Sequence, residues 1–454
     1  MTTSDFSEGP FGFNVIGYVS GNVGLGVAAR SIVSLLLEKG IPVAVYDVEA
    51  GLGRSKHDIR FENLTVNSAT NLPYSVNLFV CDPVSLSAFM TEEQVPILDP
   101  NYLNVGVIFW ELPLLSEISK AALKLLDVIV SMTDFIRYVV EFNVPNVFTV
   151  SAFHPLTLPT PIEASRTDFH LPADEVLFIT SFEPYSDARR KNALAVIEAF
   201  ERATVSDGRG HLILKLNNAV VNGQYHPSVA EIMVRRRGHP RIRVMTETLF
   251  YPEVLKLYAS CDVFVSLHRA EGLGLGLMEA MSLGKPVIAT AWSGNLSFMT
   301  HANSCLVGCN LIPVEASVHD YTKEGLGVEA LWADPNVEEA AVWIKKLISD
   351  PSLRARIGKR AAEDMAKYQD RARDAEFIDE LVAIKEQRSV TANHAAEKTR
   401  QLELLRQQIA LENWRLSRSK MTLTQRAYVD VKRLLDRHLL WRINRPRENA
   451  AAGA

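Results

Sequence analysis

Two glutamates and three glycines lie together in one short stretch near the middle of the chain. Glu271 and Glu279 are separated by seven residues, among which Gly272, Gly274 and Gly276 alternate with leucines. Glycine lets backbone N–H groups approach a ligand closely and accepts positive φ angles. A helix N-terminus with free N–H groups is a binding site for anions, above all for phosphate. The stretch therefore predicts a phosphate site beside carboxylates that face sugar hydroxyls or a developing cation.

The elements around this stretch decide where the two carboxylates lie. The apolar run before Glu271 is typical of a buried strand, and a helix is predicted from near Leu275 to Gly284, with Pro286 beyond it as a stop signal. Glu279 then lies about one turn inside the helix, where it can accept hydrogen bonds from a ribose diol. The competing interpretation is that the glycines only allow close packing of helix on strand and that the glutamates are solvated.

The whole chain has the composition of a soluble globular protein with a large core. It has 454 residues, of which 47% are hydrophobic and 22% charged, so two or three domains are expected. A net charge of -5 argues against a nucleic-acid partner, and the four cysteines do not complete a zinc site. The acidic, polar N-terminus is not a signal peptide, and no apolar run approaches the roughly 20 residues that span a bilayer. We expect a cytoplasmic location.

Short apolar runs alternate with helical patterns along most of the chain. Strands are predicted at FNVIGYVS, IPVAVYDV, SVNLFVCD, NVGVIFW, DVIVSM and NVFTVS, and again from VLFITSF to KPVIAT. Continuous Val, Ile, Leu and Phe runs separated by helices indicate parallel sheets covered on both faces. A proline-rich segment near 155–170 predicts a linker. We expect an α/β fold of two doubly wound, Rossmann-like domains that face a cleft, with domains at 1–160 and 161–390 and a basic helical tail at 391–454.

The segment EGLGLGLMEAMSLGKPVIAT resembles retaining glycosyltransferases of the GT-B fold, particularly family 4. Their mark is E-x7-E followed by a Gly/Ala-rich helix and then G-x-P-V-I, and Glu271 and Glu279 match the two glutamates. The resemblance implies that Glu271 lies by the donor sugar and that Glu279 binds the nucleotide ribose. It places the donor against the intervening loop, with Gly272, Gly274, Leu275 and Gly276 in the binding site.

The resemblance extends to SFEPYSDARRKNALAVIEAF, where the family grips the donor diphosphate with an arginine and a lysine. Lys191 matches the lysine, and either Arg189 or Arg190 replaces the arginine, of which we select Arg190. Two phosphate charges in a cleft need cationic partners, and arginine offers a bidentate fork. The alternative is a solvated basic turn.

The N-terminal half resembles a subgroup that builds bacterial surface polysaccharides. GNVGLGVAAR is similar to the glycine loop of the acceptor domain, which makes Gly24 and Gly26 candidates, and GVIFWELPLLSE is similar to the F-W-E-L segment. Trp110 and Glu111 end a predicted strand and suit a sugar acceptor, although Trp110 is equally well explained as a core aromatic. A further polar candidate is His268, which lies near Glu271 and is included as catalytic.

These observations predict a glycosyltransferase, of the hexosyltransferase type, that moves a sugar from a nucleotide-sugar donor to a glycan or lipid-linked glycan acceptor in polysaccharide biosynthesis. The resemblance implies retention of anomeric configuration, no metal and no other cofactor. Two alternatives of the same fold stay open: a nucleotide-sugar epimerase and a non-catalytic nucleotide-sugar-binding partner. A phosphorylase would need a pyridoxal-phosphate lysine and a much longer chain.

The tail differs in charge from the rest of the chain. Residues 391–454 carry 13 lysines and arginines against six aspartates and glutamates, which leaves a net charge of -12 on the remainder. Tyr428, Val431, Leu435 and Leu439 recur at helical spacing among basic residues, a pattern of helices that lie on anionic membranes at the inner face of the plasma membrane. The alternative is a helix that packs on the acidic remainder of the protein or pairs with another subunit, since Leu402, Leu405 and Ile409 allow a short coiled coil.

Overall fold

The chain contains two parallel six-stranded sheets, each covered by helices. The structure, a computed structural model, describes residues 10–51, 58–91, 95–158, 162–205, 209–221, 223–388 and 392–419. Residues 1–402 form one compact unit that contains both sheets, and residues 403–454 form another. The expected α/β fold of two Rossmann-like domains is confirmed.

The N-terminal domain is built on a sheet with the strand order β2-β1-β3-β4-β5-β6. Its strands are β1 Phe13–Gly17, β2 Val43–Asp47, β3 Val76–Cys81, β4 Leu103–Ile108, β5 Val128–Ser131 and β6 Phe148–Ser151; its helices are α1 Gly24–Glu38, α2 Pro83–Thr91, α3 Glu117–Leu123 and α4 Asp134–Asn143. Each strand from β1 to β6 lies within one of the predicted apolar runs, except that β4 begins one residue before its run. The middle strands are buried along their whole length, as expected for strands with helices on both faces.

The C-terminal domain repeats this plan with the strand order β11-β8-β7-β12-β13-β14. Its elements from Val176 are β7 Val176–Phe182, α5 Ala188–Lys191, α6 Ala193–Thr204, β8 Gly210–Leu216, a hairpin of β9 Val220–Val221 and β10 Gln224–Tyr225, α7 Pro227–Arg235, β11 Ile242–Met245, α8 Tyr251–Ser260, β12 Val263–Ser266, α9 Leu275–Ser282, β13 Val287–Thr290 and β14 Cys305–Val307. A second hairpin, β15 Cys309–Pro313 with β16 Leu331–Pro335, encloses the short helix α10 Lys323–Leu326. All strand pairs of the six-stranded sheet are parallel.

The last helices bring the chain back to the N-terminal domain. They are α11 Val337–Ser349, α12 Pro351–Asp374, α13 Glu376–Gln387 and α14 Ala392–Ser419. The backbone of His154, in the segment that joins the two sheets, donates to the Tyr368 hydroxyl of α12 at 3.1 Å. α13 contacts β6, so a helix that the sequence analysis placed in the domain at 161–390 packs on the sheet of the N-terminal domain. The hydrogen bond between His154 and Tyr368 connects α12 to the segment that joins the two sheets.

Buried charges attach the start of α14 to the N-terminal domain. Asp127, just before β5, is 2.9 Å from Arg388 and 2.7 Å from Lys398, and both of these basic side chains are largely buried. His394 lies 3.4 Å from the same carboxylate. The predicted membrane-binding helix at 428–441 lies outside the described residues. Within the described part of the chain, no helix combines the length and the apolar character needed to cross a membrane.

Candidate active site

A cavity of about 680 Å³ lies between the two domains, beyond the carboxyl ends of strands from both sheets. This is where parallel α/β sheets bind ligands. Eleven of the thirteen predicted site residues line it, and nine of these are Gly24, Trp110, Glu111, Arg190, Lys191, Glu271, Gly272, Gly274 and Leu275. Gly276 and Glu279 line it as well, so only Gly26 and His268 of the predicted set do not. The cavity therefore brings together residues that are up to 255 positions apart.

The loop before α9 reaches the cavity because its glycines leave no room for side chains. Gly274 precedes the helix with φ of 91°, a conformation that favours glycine. A Cβ on Gly272 would lie 2.7 Å from the Trp110 carbonyl oxygen, so the two domains approach backbone to backbone here. The Thr133 hydroxyl also donates to the Gly272 carbonyl at 3.0 Å. The N-terminal turn of α9 consequently opens towards the cavity.

Two basic residues of α5 lie opposite this helix. Asp187 caps α5 by accepting the N–H groups of Arg189 and Arg190, and its other oxygen accepts from Ser317 and Val318. The Arg190 side chain is 2% exposed and donates to the Ala270 carbonyl at 2.8 Å. Arg189 instead reaches the Glu315 carbonyl at 3.2 Å and is absent from the cavity wall within the described residues. Of the two arginines left open by the sequence, Arg190 is the one at the cavity.

Glu271 forms the centre of a charged cluster. Lys191 donates a hydrogen bond to its carboxylate, and Arg190 lies 3.6 Å from the same oxygen. Burial by itself would raise the pKa of Glu271, but the nearby Lys191 and Arg190 cations lower it to about 2. Burial lowers the pKa of Lys191, and the Glu271 carboxylate opposes that shift. Glu271 is therefore an anion at any physiological pH, held at one side of the cavity.

Glu279 has the opposite electrostatic environment. It is 5% exposed on α9, and burial raises its pKa from an ordinary value of 4.5 to about 7, while the Tyr251 hydroxyl beside it has a smaller lowering effect. The two glutamates of the motif thus differ in protonation near neutral pH, although they lie on the same loop and helix. A carboxyl that ionises near pH 7 is a common feature of functional sites.

Glu111 connects the N-terminal domain to the charged cluster. Its carboxylate accepts from the Tyr321 hydroxyl at 2.7 Å and lies 3.4 Å from Arg190. The ring of Trp110 packs edge-on against Tyr321 with centroids 5.1 Å apart, and its Nε1 donates to the Leu114 carbonyl at 2.9 Å. Trp110 is 3% exposed, so it acts as a packing residue that also borders the cavity.

Two of the predicted site residues, Gly26 and His268, do not line the cavity. A Cβ on Gly26 would lie 2.1 Å from the Gly21 carbonyl oxygen, so this glycine allows the tight turn of the loop before α1. His268 is fully buried; its Nδ1 lies 3.0 Å from the Ser266 hydroxyl and its Nε2 lies 3.2 Å from Asn295. Its ring is enclosed by the domain and does not line the cavity, and the catalytic assignment of His268 stays a prediction.

Several residues in or beside the cavity were missed by the sequence analysis. Asp187 has a recognisable signal, since an aspartate before ARRK is a typical helix cap. Tyr251, at the start of α8, lines the cavity but was not among the predicted site residues. Tyr321 and Asp82 have no local signal, because nothing near them in the chain indicates that they line a cleft.

The comparisons with known proteins agree with this geometry. Residues 174–317 match the family model described as Glycosyl transferases group 1. The sulfoquinovosyl transferase SQD2 of Arabidopsis thaliana is 35% identical over 129 residues, which are 28% of this chain and 21% of that protein. The chain thus spans about a fifth of that relative's length.

Solved structures extend the likeness to both domains. Sucrose-phosphate synthase from Thermosynechococcus elongatus superposes with a TM-score of 0.59 at 16% identity, over 82% of this chain and 99% of that one. A glycosyltransferase from Rickettsia africae superposes with a TM-score of 0.58 at 14% identity, over 83% of this chain and 100% of that one. HepE of Anabaena, solved with UDP and glucose, superposes with a TM-score of 0.53 at 15% identity, over 82% of this chain and 99% of that one.

The fold is the GT-B fold of these solved structures, as the sequence predicted. Residues 174–317, which match the model of group 1 glycosyl transferases, contain both glutamates of the motif together with Arg190 and Lys191 of α5.

Proposed function

We propose that this protein is a retaining glycosyltransferase that transfers a hexosyl group from a nucleotide sugar to a carbohydrate or lipid-linked glycan acceptor in polysaccharide biosynthesis. One observation carries the proposal: Glu271, Glu279 and the α9 N-terminus share a cavity with Arg190 and Lys191. This arrangement offers separate groups for a ribose, a diphosphate and a sugar.

The nucleotide end of the donor fits the side of the cavity that contains Glu279. A ribose diol donates two hydrogen bonds, and an ionised carboxylate accepts both. Tyr251 also lines this region and flanks the same carboxylate. We therefore assign ribose binding to Glu279.

The diphosphate fits between α5 and the N-terminal turn of α9. Arg190 and Lys191 are already matched by the carboxylates of Glu111 and Glu271. The added phosphate charges therefore need further donors, which the backbone N–H groups of the loop before α9 can supply. These groups are fixed before the reaction and can stabilise the charge that develops on the leaving phosphate.

The sugar lies beside Glu271 in this arrangement. Its anomeric carbon becomes oxocarbenium-like as the bond to the phosphate breaks, and a carboxylate with a pKa of about 2 stabilises that positive charge while remaining ionised. Approach of the two domains excludes water and limits hydrolysis of the donor. We expect no metal requirement, so that turnover should be unchanged by a chelator.

Donor consumption with and without acceptor tests the proposal and separates the alternatives. HepE was solved with UDP and glucose, so UDP-sugars are the first donors to try. A transferase releases nucleoside diphosphate and needs an acceptor for full turnover, an epimerase converts the donor without any acceptor, and a binding partner does neither. Glu271→Gln should lower turnover by at least a hundredfold while nucleotide binding persists, because only the charge near the sugar is lost. Wild-type turnover in this variant would exclude the role of Glu271.

We also propose that the basic tail holds the enzyme at an anionic membrane, where lipid-linked acceptors are found. The support is the charge pattern of residues 391–454. A variant that ends at Ser419 retains the described part of α14 and the ion pair of Lys398 with Asp127. It should no longer co-sediment with vesicles containing phosphatidylglycerol, whereas the full chain should. Equal behaviour of both proteins would favour self-association through the tail.

A further inference from the structure

One wall of the cavity belongs to the N-terminal domain and faces the residues to which we assign the donor. Its polar side chains include Tyr18, Asp82, Ser85 and Glu111. Among the described residues that this domain contributes to the cavity there is no lysine or arginine, whereas the other domain contributes Arg190 and Lys191. The N-terminal wall therefore has carboxylates but no cation of its own, whereas the other wall combines its two cations with the carboxylates of Glu183, Glu271, Glu279 and Asp320.

Three of these side chains form one row of hydrogen bonds. The Ser85 hydroxyl lies 2.6 Å from Oδ2 of Asp82, to which it donates, and 2.9 Å from the Tyr18 hydroxyl. A serine hydroxyl has a single proton, so with that proton on Asp82 it must accept from Tyr18. The Tyr18 hydroxyl thus donates to Ser85, and the Ser85 hydroxyl donates to the Asp82 carboxylate.

Asp82 has a structural role and capacity left for a ligand. Its Oδ1 accepts the N–H groups of Val84 and Ser85 at 2.9 Å each, and so caps the first turn of α2. Its Oδ2 accepts only from the Ser85 side chain within the described part of the chain, and a carboxylate oxygen has two lone pairs. One acceptor position therefore remains beside the cavity.

A second carboxylate lies in the same wall. Glu111 is matched by Arg190 and Tyr321, and Asp82 is close enough to contribute to the raised pKa of Tyr321, after the larger effects of burial and Glu111. A sugar hydroxyl would be held by such a wall as a hydrogen-bond donor. A carboxylate or phosphate on the same ligand would be repelled, because like charges in a cleft of low dielectric are poorly screened.

We infer that this wall is the acceptor subsite and that it selects a neutral sugar, with Asp82 as the specificity-determining residue that accepts a hydroxyl proton and rejects an anionic substituent. The inference rests on the proposed function in taking the bound sugar to be the acceptor of the transfer. Binding of the sugar itself can be measured without any transfer.

The test compares Asp82→Asn with the wild type by saturation-transfer NMR and titration. The probes are the p-nitrophenyl glycosides of glucose, galactose and mannose, each paired with its uronide. Asparagine keeps the Oδ1 that caps α2 and removes only the charge, so the variant should fold. Wild type should bind at least one neutral glycoside at least tenfold more tightly than its uronide. Asp82→Asn should reduce that ratio about tenfold.

Asp99→Asn is the matched control. Asp99 also caps a turn of this domain, through the N–H of Asn101 at 2.9 Å, but it does not line the cavity. Its substitution should leave the ratio unchanged. A wild type that binds no neutral glycoside, that binds uronides as well as neutral sugars, or that has the same ratio as Asp82→Asn would overturn the inference. Binding with the expected ratio but without donor consumption would instead refute the proposed function alone.

Discussion

Replacement of Glu279 by glutamine should change both the stability of the protein and the protons released when the donor binds. The pKa of this carboxyl is raised from 4.5 to about 7 by burial, so the folded state favours its protonated form. Wild-type stability is therefore unaffected by this group below about pH 4.5, falls as pH rises from there to 7, and stays reduced above 7. A shift of roughly 2.5 pKa values corresponds to about 3 kcal/mol.

Glutamine cannot ionise and has the same shape, so Glu279→Gln should be more stable than the wild type by about 3 kcal/mol at pH 8 and equal to it at pH 4.5. For a domain of about 200 residues this is a melting-temperature difference of roughly 6 to 12 °C. Differential scanning fluorimetry across this pH range measures it. A difference that stays constant with pH would show that Glu279 has an ordinary pKa in the folded protein.

Donor binding adds an independent measurement. A ribose that donates to Glu279 favours the carboxylate, and at pH 7 about half of the free protein carries the proton. Binding of an intact nucleotide sugar, whose phosphates do not titrate in this range, should then release about 0.5 proton at pH 7 and almost none at pH 8.5. Calorimetry in buffers of different ionisation enthalpy gives this number. If the Glu279→Gln variant released the same number of protons on binding the nucleotide sugar, the assignment of ribose binding to Glu279 would be refuted.

Three further variants probe the remaining parts of the site. Lys191→Ala should weaken nucleoside-diphosphate binding by about 2 kcal/mol, roughly thirtyfold, and nucleoside binding much less, because only the diphosphate needs the cation; titration of both ligands measures this. Gly272→Ala should lower turnover at least tenfold, since its Cβ would lie 2.7 Å from the Trp110 carbonyl and hold the domains apart, which small-angle scattering can detect. Asp127→Asn should cost about 3 kcal/mol in thermal or denaturant unfolding, because it leaves the largely buried Lys398 without its counter-charge at 2.7 Å.

Each of these variants has a matched control in the chain. Arg189→Ala removes a neighbouring cation that reaches only the Glu315 carbonyl, and should leave diphosphate binding intact. Gly308→Ala adds a Cβ outside the cavity whose nearest neighbour is the end of the Glu339 side chain at 3.3 Å, so turnover should change little. Asp370→Asn breaks an exposed ion pair of 4.0 Å and should cost less than 1 kcal/mol. Equal effects in any variant and its control would contradict the corresponding argument.

The local patterns of the sequence determined the sheets and the glycine-rich loop before α9. Strands buried on both faces must be continuous apolar runs, so β1, β3, β4 and β5 could be located from such runs alone. The same holds for the loop before α9, because a positive φ at Gly274 and a close approach at Gly272 each require glycine. These features depend on residues that are neighbours in the chain.

The tertiary structure decided what each candidate side chain does. Whether Arg189 or Arg190 reaches the cavity depends on the cap that Asp187 forms, and His268 turns inward because Ser266 and Asn295 hold its ring. The contact of Glu111 with Tyr321 joins residues 210 positions apart, and the different protonation of the two motif glutamates follows from which cations lie nearby. Burial, distance and charge pairing arise only when distant segments pack together, so no pattern along the chain could specify them.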